Sequence, residues 1–574
     1  LPMHLGLPTR SVHGLPVIEH AEFGRNVPDE AMPDEDKMNL GKIYHMGKEE
    51  AAELLLNRQA MASHTFITGS TGTGKSNAVY HLLDEITKNG QTTFLVVEPA
   101  KGEYKNVFGN CTDVQVFGTN PRETPLLRMN PFAFPENIHI LEHIDRLVEI
   151  FNACWPMYAA MPAVLKDAIE RSYQKVGWDL RNSESEKGVF PTFFDLLDIL
   201  PGVIEESHYS KDTQSDYVGA LCTRVKSLTN GIYGSVLCAE DALSDAEMFD
   251  QNVIVDLSRV GSMETKSLLM GILVMKLQEY RMCSSGMNSR LRHVTVLEEA
   301  HNLLRKTSAE QSQEGANLQG KSVEMLANAI AEMRTYGEGF IIADQAPGLL
   351  DMSVIRNTNT KIILRLPDEE DRKLVGKSAA LKEAQIDELS KLPLGVAAVY
   401  QNEWPEAVLC KIEAYPMPEN AVYHKPSKMP HEINAEFVFG QLAVGKELEP
   451  LSSSEMEQLK LWLKRHETVL KPEDSRYLER VFAGGELDVA KTRKAVFDFF
   501  GGIGTVVDYC VAAEKSLTPR KELLEQLQGQ YGLKAAAADW VLNSVISMGM
   551  SLNPDAKAVD NLRTNFEQQG GRVL

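Results

Sequence analysis

Gly69-Ser70-Thr71-Gly72-Thr73-Gly74-Lys75-Ser76 is a complete G-x-x-x-x-G-K-[ST] string, and it stands between the apolar run 65–68 and a helix-forming stretch, 77–87. A strand, a loop of small residues and a helix in that order leave few folds open. The small residues let successive backbone N–H groups wrap an anion at a helix N-terminus, where the helix dipole favours negative charge. Lys75 can then reach the β and γ oxygens of a nucleoside triphosphate, and the Ser76 hydroxyl suits Mg²⁺. The segment predicts an α/β sheet that binds ATP through residues Gly69, Ser70, Thr71, Gly72, Thr73, Gly74, Lys75 and Ser76.

The rest of the chain is consistent with such a sheet. Apolar runs at 92–97 and 114–117 continue it, the first separated from 65–68 by an amphipathic helix. Between about 126 and 250 the spacing becomes helical, as at 138–153 and 163–173, which reads as a helical insertion. Strand signals return at 253–257, 293–297, 340–343, 361–366 and 396–401, so one sheet is assembled from both halves. The expected domains are an extended arm over 1–62, entering a helix at 47–58, core segments at 63–125 and 251–420 around the insertion, and a helical module at 421–574. In that module Ser454 and Glu457 form a capping box ahead of Leu459, Trp462, Leu463 and His466, and Thr518-Pro519 opens another helix. The polar stretch 307–321 reads as a mobile surface loop.

A second chemical signal is His293-Val294-Thr295-Val296-Leu297-Glu298-Glu299, an apolar strand ending in two acids. Adjacent acids there also suit a helix N-terminus. The upstream phosphate loop favours catalysis: one of Glu298 and Glu299 holds Mg²⁺ through water, while the other orients or deprotonates the attacking water. A third strand, 339–344, runs into Gln345, which can sense a γ-phosphate or cap a loop. Arg334 and Arg356 are candidate arginine fingers, though an isolated Arg more often serves packing or surface pairing.

Together with His64 to Gly69 and Lys75-Ser76-Asn77, the segments Glu98-Pro99-Ala100-Lys101-Gly102-Glu103-Tyr104, Leu297 to Asn302, Ala343 to Pro347 and Arg356 to Thr360 resemble the HerA family of the HerA/FtsK ATPases. The resemblance covers about 60–415. It implies a RecA-like core, a ring hexamer with ATP between subunits, and translocation on duplex DNA. By the same resemblance Glu299 is the catalytic carboxylate, Gln345 the sensor, and Arg334 the finger completing a neighbour's site. It also implies work with a nuclease or other effector and a place in bacterial antiviral defence. Two departures stand out: Glu298 occupies a position that usually holds Asp, and Ala346 one where many members have Arg. The family's N-terminal β-barrel is not visible, and Leu1 falls where the linker after it is expected.

Charge bears on what such a motor could grip. Among 574 residues, 59 Lys and Arg against 80 Asp and Glu leave a net charge of −21, a field that repels polyanions on average. DNA contacts are therefore expected to be local, with Lys101, Lys105 and Arg122, in loops after core strands, as pore candidates. The seven scattered cysteines match neither a disulfide framework nor a zinc site, and read as buried reduced thiols of a cytoplasmic protein. No apolar run approaches a membrane span. The leading expectation is an ATP-driven DNA motor. Its alternative is a nucleotide-gated ring scaffold that organises an effector without sustained translocation, and a metabolic P-loop kinase is a poorer third because no substrate-lid motif is present.

Overall fold

The computed structural model describes residues 20–573 apart from 29–31, 158–159, 186–187, 208, 240–241, 308–317, 418–420, 426–437, 439–458, 461–471, 483–487, 517 and 532–534. The chain divides into two compact units, residues 1–173 with 191–425, and residues 174–190 with 426–574.

Thirteen strands are described: β1 (Lys37–His45), β2 (Lys48–Asn57), β3 (Thr65–Thr68), β4 (Thr93–Glu98), β5 (Val114–Gly118), β6 (Trp178–Asp179), β7 (Glu184–Ser185), β8 (Asn252–Asp256), β9 (His293–Glu298), β10 (Glu338–Asp344), β11 (Thr360–Ile363), β12 (Val396–Gln401) and β13 (Val408–Ile412). Eleven of them form one sheet in the order β2-β1-β13-β12-β11-β3-β10-β9-β4-β8-β5. From β11 to β5 all neighbours are parallel, and the other four strands extend the sheet antiparallel. Strands β3, β8, β9 and β10 are buried at every residue, as parallel strands covered on both faces must be. One face packs under helices α1 (Lys75–Thr87) and α2 (Tyr104–Phe108), which share a core with Ile67, Val96, Val296 and Ile341. The fold is a mixed α/β P-loop core, and the segment between β5 and β8 is mainly helical, opening with α3 (Ile140–Cys154).

The stretch 47–58, expected to be helical, is instead strand β2. Its Ala, Glu and Leu content favours a helix, but propensity yields to tertiary pairing. Leu54 and Leu56 alternate into the core, and Leu56 lies opposite Met38 of β1. The hairpin signal is Met46-Gly47, a two-residue turn with φ of 46° and 79°, the left-handed pair a tight hairpin requires. In β1, Gly41 has φ 148°, and a Cβ there would fall 2.1 Å from the Lys411 carbonyl oxygen.

At the other end of the central strands from the phosphate loop, buried charges pair with one another. Glu338 accepts from Arg281 Nε at 2.9 Å and lies 2.8 Å from His293 Nδ1. Burial works against its ionisation, yet His293 and Arg281 hold its carboxyl down at about 2.

The second unit has its own core, including Phe497, Phe500, Tyr509, Leu542, Val545 and Phe566, with the Tyr509 and Phe566 rings edge to face at 5.3 Å. Helix Pro519–Tyr531 begins at the expected proline. The Ser454–Glu457 box, Trp462, Leu463, His466 and most of 307–321 lie outside the described residues. Among the described residues no single helix is long and apolar enough to cross a membrane; Ala490–Phe499 and Gly502–Lys515 pass only as a pair bent by 62°. The cysteines are unpaired, but the expectation that all are buried is corrected: Cys111 and Cys510 are exposed, on a loop and on a surface helix face.

Candidate active site

Four neighbouring parallel strands end in acids: Asp256 on β8, Glu98 on β4, Glu298 on β9 and Asp344 on β10. Next to β10, β3 ends in Thr68 and runs straight into the glycine-rich loop. All four carboxylates are buried, so each needs a partner. Asp256 accepts from Lys105 Nζ at 2.5 Å and from the Ser258 N–H at 2.9 Å. Glu98 accepts the N–H groups of Glu103 and Tyr104 at 2.8 and 3.2 Å. Glu298 accepts from the Tyr104 hydroxyl through Oε1, and its Oε2 lies 3.8 Å from Lys75 Nζ. Asp344 accepts the N–H groups of His301 and Ala346 at 2.8 and 2.9 Å, and its Oδ2 lies 2.9 Å from His301 Nδ1.

The phosphate loop is held from outside. The Ser70 N–H donates to the Arg365 carbonyl at 3.1 Å, and the Thr73 carbonyl accepts from the Gly395 N–H at 3.0 Å. Gly74 caps α1 with φ 105°, a conformation that a side chain resists. Lys75, buried at the first turn, donates to Glu299 Oε1 at 3.2 Å. Gln345 Nε2 donates to the same oxygen, and its own Oε1 accepts from Thr71 Oγ1 at 2.6 Å. Thr71, Gln345, Glu299 and Lys75 thus form one polar chain. Glu299 itself is left-handed, φ 44° and ψ 51°, a conformation costing roughly 1–3 kcal/mol in a non-glycine residue and found mostly at functional sites.

The acids are crowded enough to perturb one another. Burial pushes Glu98 up to about 8 in spite of its two backbone donors, and the nearby Asp256 and Glu298 add to the effect. Burial also raises Glu298, against the pull of Lys75 and the Tyr104 hydroxyl. The hydrogen bond with Asp344 raises His301. A cluster that holds protons for want of positive charge suits a cation, and the oxygen donors of Ser76 and Glu298, adjoining the phosphate loop, are of the kind Mg²⁺ takes alongside water and phosphate.

The structure brings Gly69 to Ser76, Glu298, Glu299 and Gln345 together. It does not bring Arg334 or Arg356 to them. Arg334 lies in a short turn ahead of β10 and Arg356 ends a short helix ahead of β11, both exposed and at the opposite ends of those strands. The seven residues of β10 span about 20 Å. Lys101 is half exposed with φ 64°, its ammonium 3.8 Å from Glu103, and Arg122 is exposed. Lys105 corrects the expectation of a pore lysine: it is 11% exposed and engaged by Asp256 and by Glu123 at 3.1 Å. Residues without a role in the sequence reading are Tyr104, Glu98, Asp256, His301 and Asp344; strand-end position was the available signal for the acids.

Residues 38–277 match the family described as "Helicase HerA, central domain"; Glu299 and Gln345 lie beyond that span. The chain is 23% identical over 436 residues to the probable helicase MJECL08 of Methanocaldococcus jannaschii, covering 69% of this chain and 76% of that protein. It is 26% identical over 393 residues to the DNA double-strand break repair helicase HerA of Sulfolobus acidocaldarius, covering 66% and 69%. The fold is shared with VirB4 of Thermoanaerobacter pseudethanolicus, TM-score 0.50 at 18% identity, over 67% of this chain and 98% of that one.

Proposed function

We propose that the chain, whose residues 38–277 match the central domain of the HerA helicases, is an ATP-driven translocase of duplex DNA, working as a ring, most simply a hexamer, in the service of a separate effector. The observation that carries the reading is the polar chain Thr71–Gln345–Glu299–Lys75 at the mouth of the phosphate loop. Incoming ATP offers Lys75 phosphate oxygens in place of Glu299. Freed of the lysine, Glu299 is a carboxylate base whose position Gln345 still constrains, suited to orient a water in line with the γ-phosphorus. The loop N–H groups face the phosphates at the start of α1. Ser76 and Glu298 would hold Mg²⁺, which when bound neutralises charge on the β and γ oxygens. Arg334, a strand length from Lys75, can act only on a neighbour's site, so the reading requires closed symmetric assembly.

The effector is proposed to be a nuclease or another enzyme that degrades nucleic acid or nucleotides, because the described residues hold this one catalytic constellation and a helical unit of its own core. A scaffold that gates an effector by nucleotide binding is the second reading, favoured by the net charge of −21 and by the engagement of Lys105 with acids. ATP turnover with and without duplex DNA separates the two. Turnover rising severalfold with DNA, and lost in Lys75→Ala, supports the motor; turnover indifferent to DNA supports the scaffold.

A further inference from the structure

The loop Glu98 to Tyr104 carries more than a strand end. Its last residue, Tyr104, is 2% exposed and donates its hydroxyl to Glu298 Oε1. The Tyr104 ring packs edge to face on Tyr80 of α1, with centroids 4.9 Å apart and planes at 81°. Tyr80 lies one helical turn after Ser76 on the same helix. Phe108 packs on the Tyr80 ring at 5.9 Å, so neither ring is free to swing. Tyr104 therefore touches the carboxylate assigned to Mg²⁺, and Tyr80 braces its ring.

We propose that Tyr104, its ring braced by Tyr80, is a positioning residue that sets the Glu298 carboxylate for nucleotide-bound Mg²⁺. The proposal rests on the ATP-site reading above. The Tyr104 hydroxyl satisfies one carboxylate oxygen and leaves the other turned toward Lys75. Without it, a buried oxygen loses its donor and the carboxylate rotates more freely. Groups that tune a ligand from behind in this way govern metal affinity more than nucleotide affinity. The backbone N–H of Tyr104 is itself held by Glu98, which ties the pair to the loop bearing Lys101.

The test is equilibrium binding of a fluorescent ADP analogue to the full chain, titrated with Mg²⁺, in wild type, Tyr104→Phe, Tyr80→Phe and the double variant. Both substitutions keep the ring and its packing. Tyr104→Phe is expected to raise the Mg²⁺ midpoint about tenfold, with affinity in excess EDTA unchanged. Tyr80→Phe keeps the bracing ring, so it is expected to leave the midpoint within about twofold of wild type and the double variant to match Tyr104→Phe. A Mg²⁺ midpoint unchanged or lowered in Tyr104→Phe, against a Mg²⁺-dependent wild type, overturns the proposal alone. Equal loss of affinity with and without Mg²⁺ makes the tyrosine a packing residue and overturns it too. A wild type that binds no nucleotide overturns the ATP-site reading and the proposal with it.

Discussion

Lys75 and Glu299 are paired, ammonium to carboxylate at 3.2 Å. The group expected to grip phosphate is the direct ion-pair partner of the group expected to activate water, so a phosphate that takes the lysine competes with an internal salt bridge.

Glu299→Gln should therefore bind ATP at least as tightly as wild type, and hydrolyse it at least about a hundredfold more slowly, the scale seen when a group acting only in the transition state is lost. Lys75→Ala should lose both binding and turnover while keeping its melting temperature within a few degrees. Nucleotide-binding titrations beside steady-state turnover check this, and equal affinity loss in both variants would count against the assigned roles.

Arg334 and Glu299 occupy opposite ends of the sheet, so their loss should be complementable. Arg334→Ala and Glu299→Gln chains, each inactive alone, should recover part of the wild-type rate when co-assembled, since some interfaces then receive both intact groups. Verified mixed rings without recovery would sink the trans role; recovery with Arg356→Ala in place of Arg334→Ala would move the finger to Arg356.

The Glu98 carboxyl, raised from its ordinary 4.5 to about 8 by burial, makes the fold hold a proton that the unfolded chain has released. Between about pH 4.5 and 8 this group's contribution falls as pH rises, because the native state binds more protons there, and it is flat outside that window. Glu98→Gln removes the dependence. Chemical denaturation midpoints from pH 5 to 8.5 should show a shallower alkaline decline in the variant, and identical slopes would contradict the assignment.

Two kinds of lysine should separate in DNA binding. Lys101→Ala and Arg122→Ala should each lower the slope of log affinity against log salt by about 1, as a lost phosphate contact does. Lys105→Ala should instead destabilise the fold by about 3 kcal/mol, because the buried Asp256 loses its cationic partner and keeps only the Ser258 donor. Salt-dependent filter binding and thermal melts read the two effects independently.

The phosphate loop and the strands at 65–68, 293–297 and 396–401 were legible because apolar runs bounded by polar turns encode both the strand and its burial. The β1–β2 hairpin was not, since residues 48–57 are helix formers and only the turn Met46-Gly47 signals otherwise. Gln345 and Glu299 were legible as strand-end polar groups. The partnership of Tyr104 with Glu298 joins positions 194 apart in sequence, and no local spacing could display it. The burial of Lys105 was hidden for the same reason: Asp256 reaches it only through the order in which β4, β8 and β5 line up.

The chain order of the sheet also has a consequence for synthesis on the ribosome. Strand β3, which launches the phosphate loop, takes both its neighbours, β10 and β11, from beyond residue 337, and β1 joins β13 only through residues near 411. The loop emerges early with both flanks of its strand bare, and about 300 residues must follow before they are covered, roughly 15 to 60 seconds of elongation at ordinary speeds. Contacts so distant close slowly. The segment that will handle ATP is thus among the last to acquire its native surroundings, and in a nascent chain it is an open hydrophobic edge that invites wrong partners before the right ones exist.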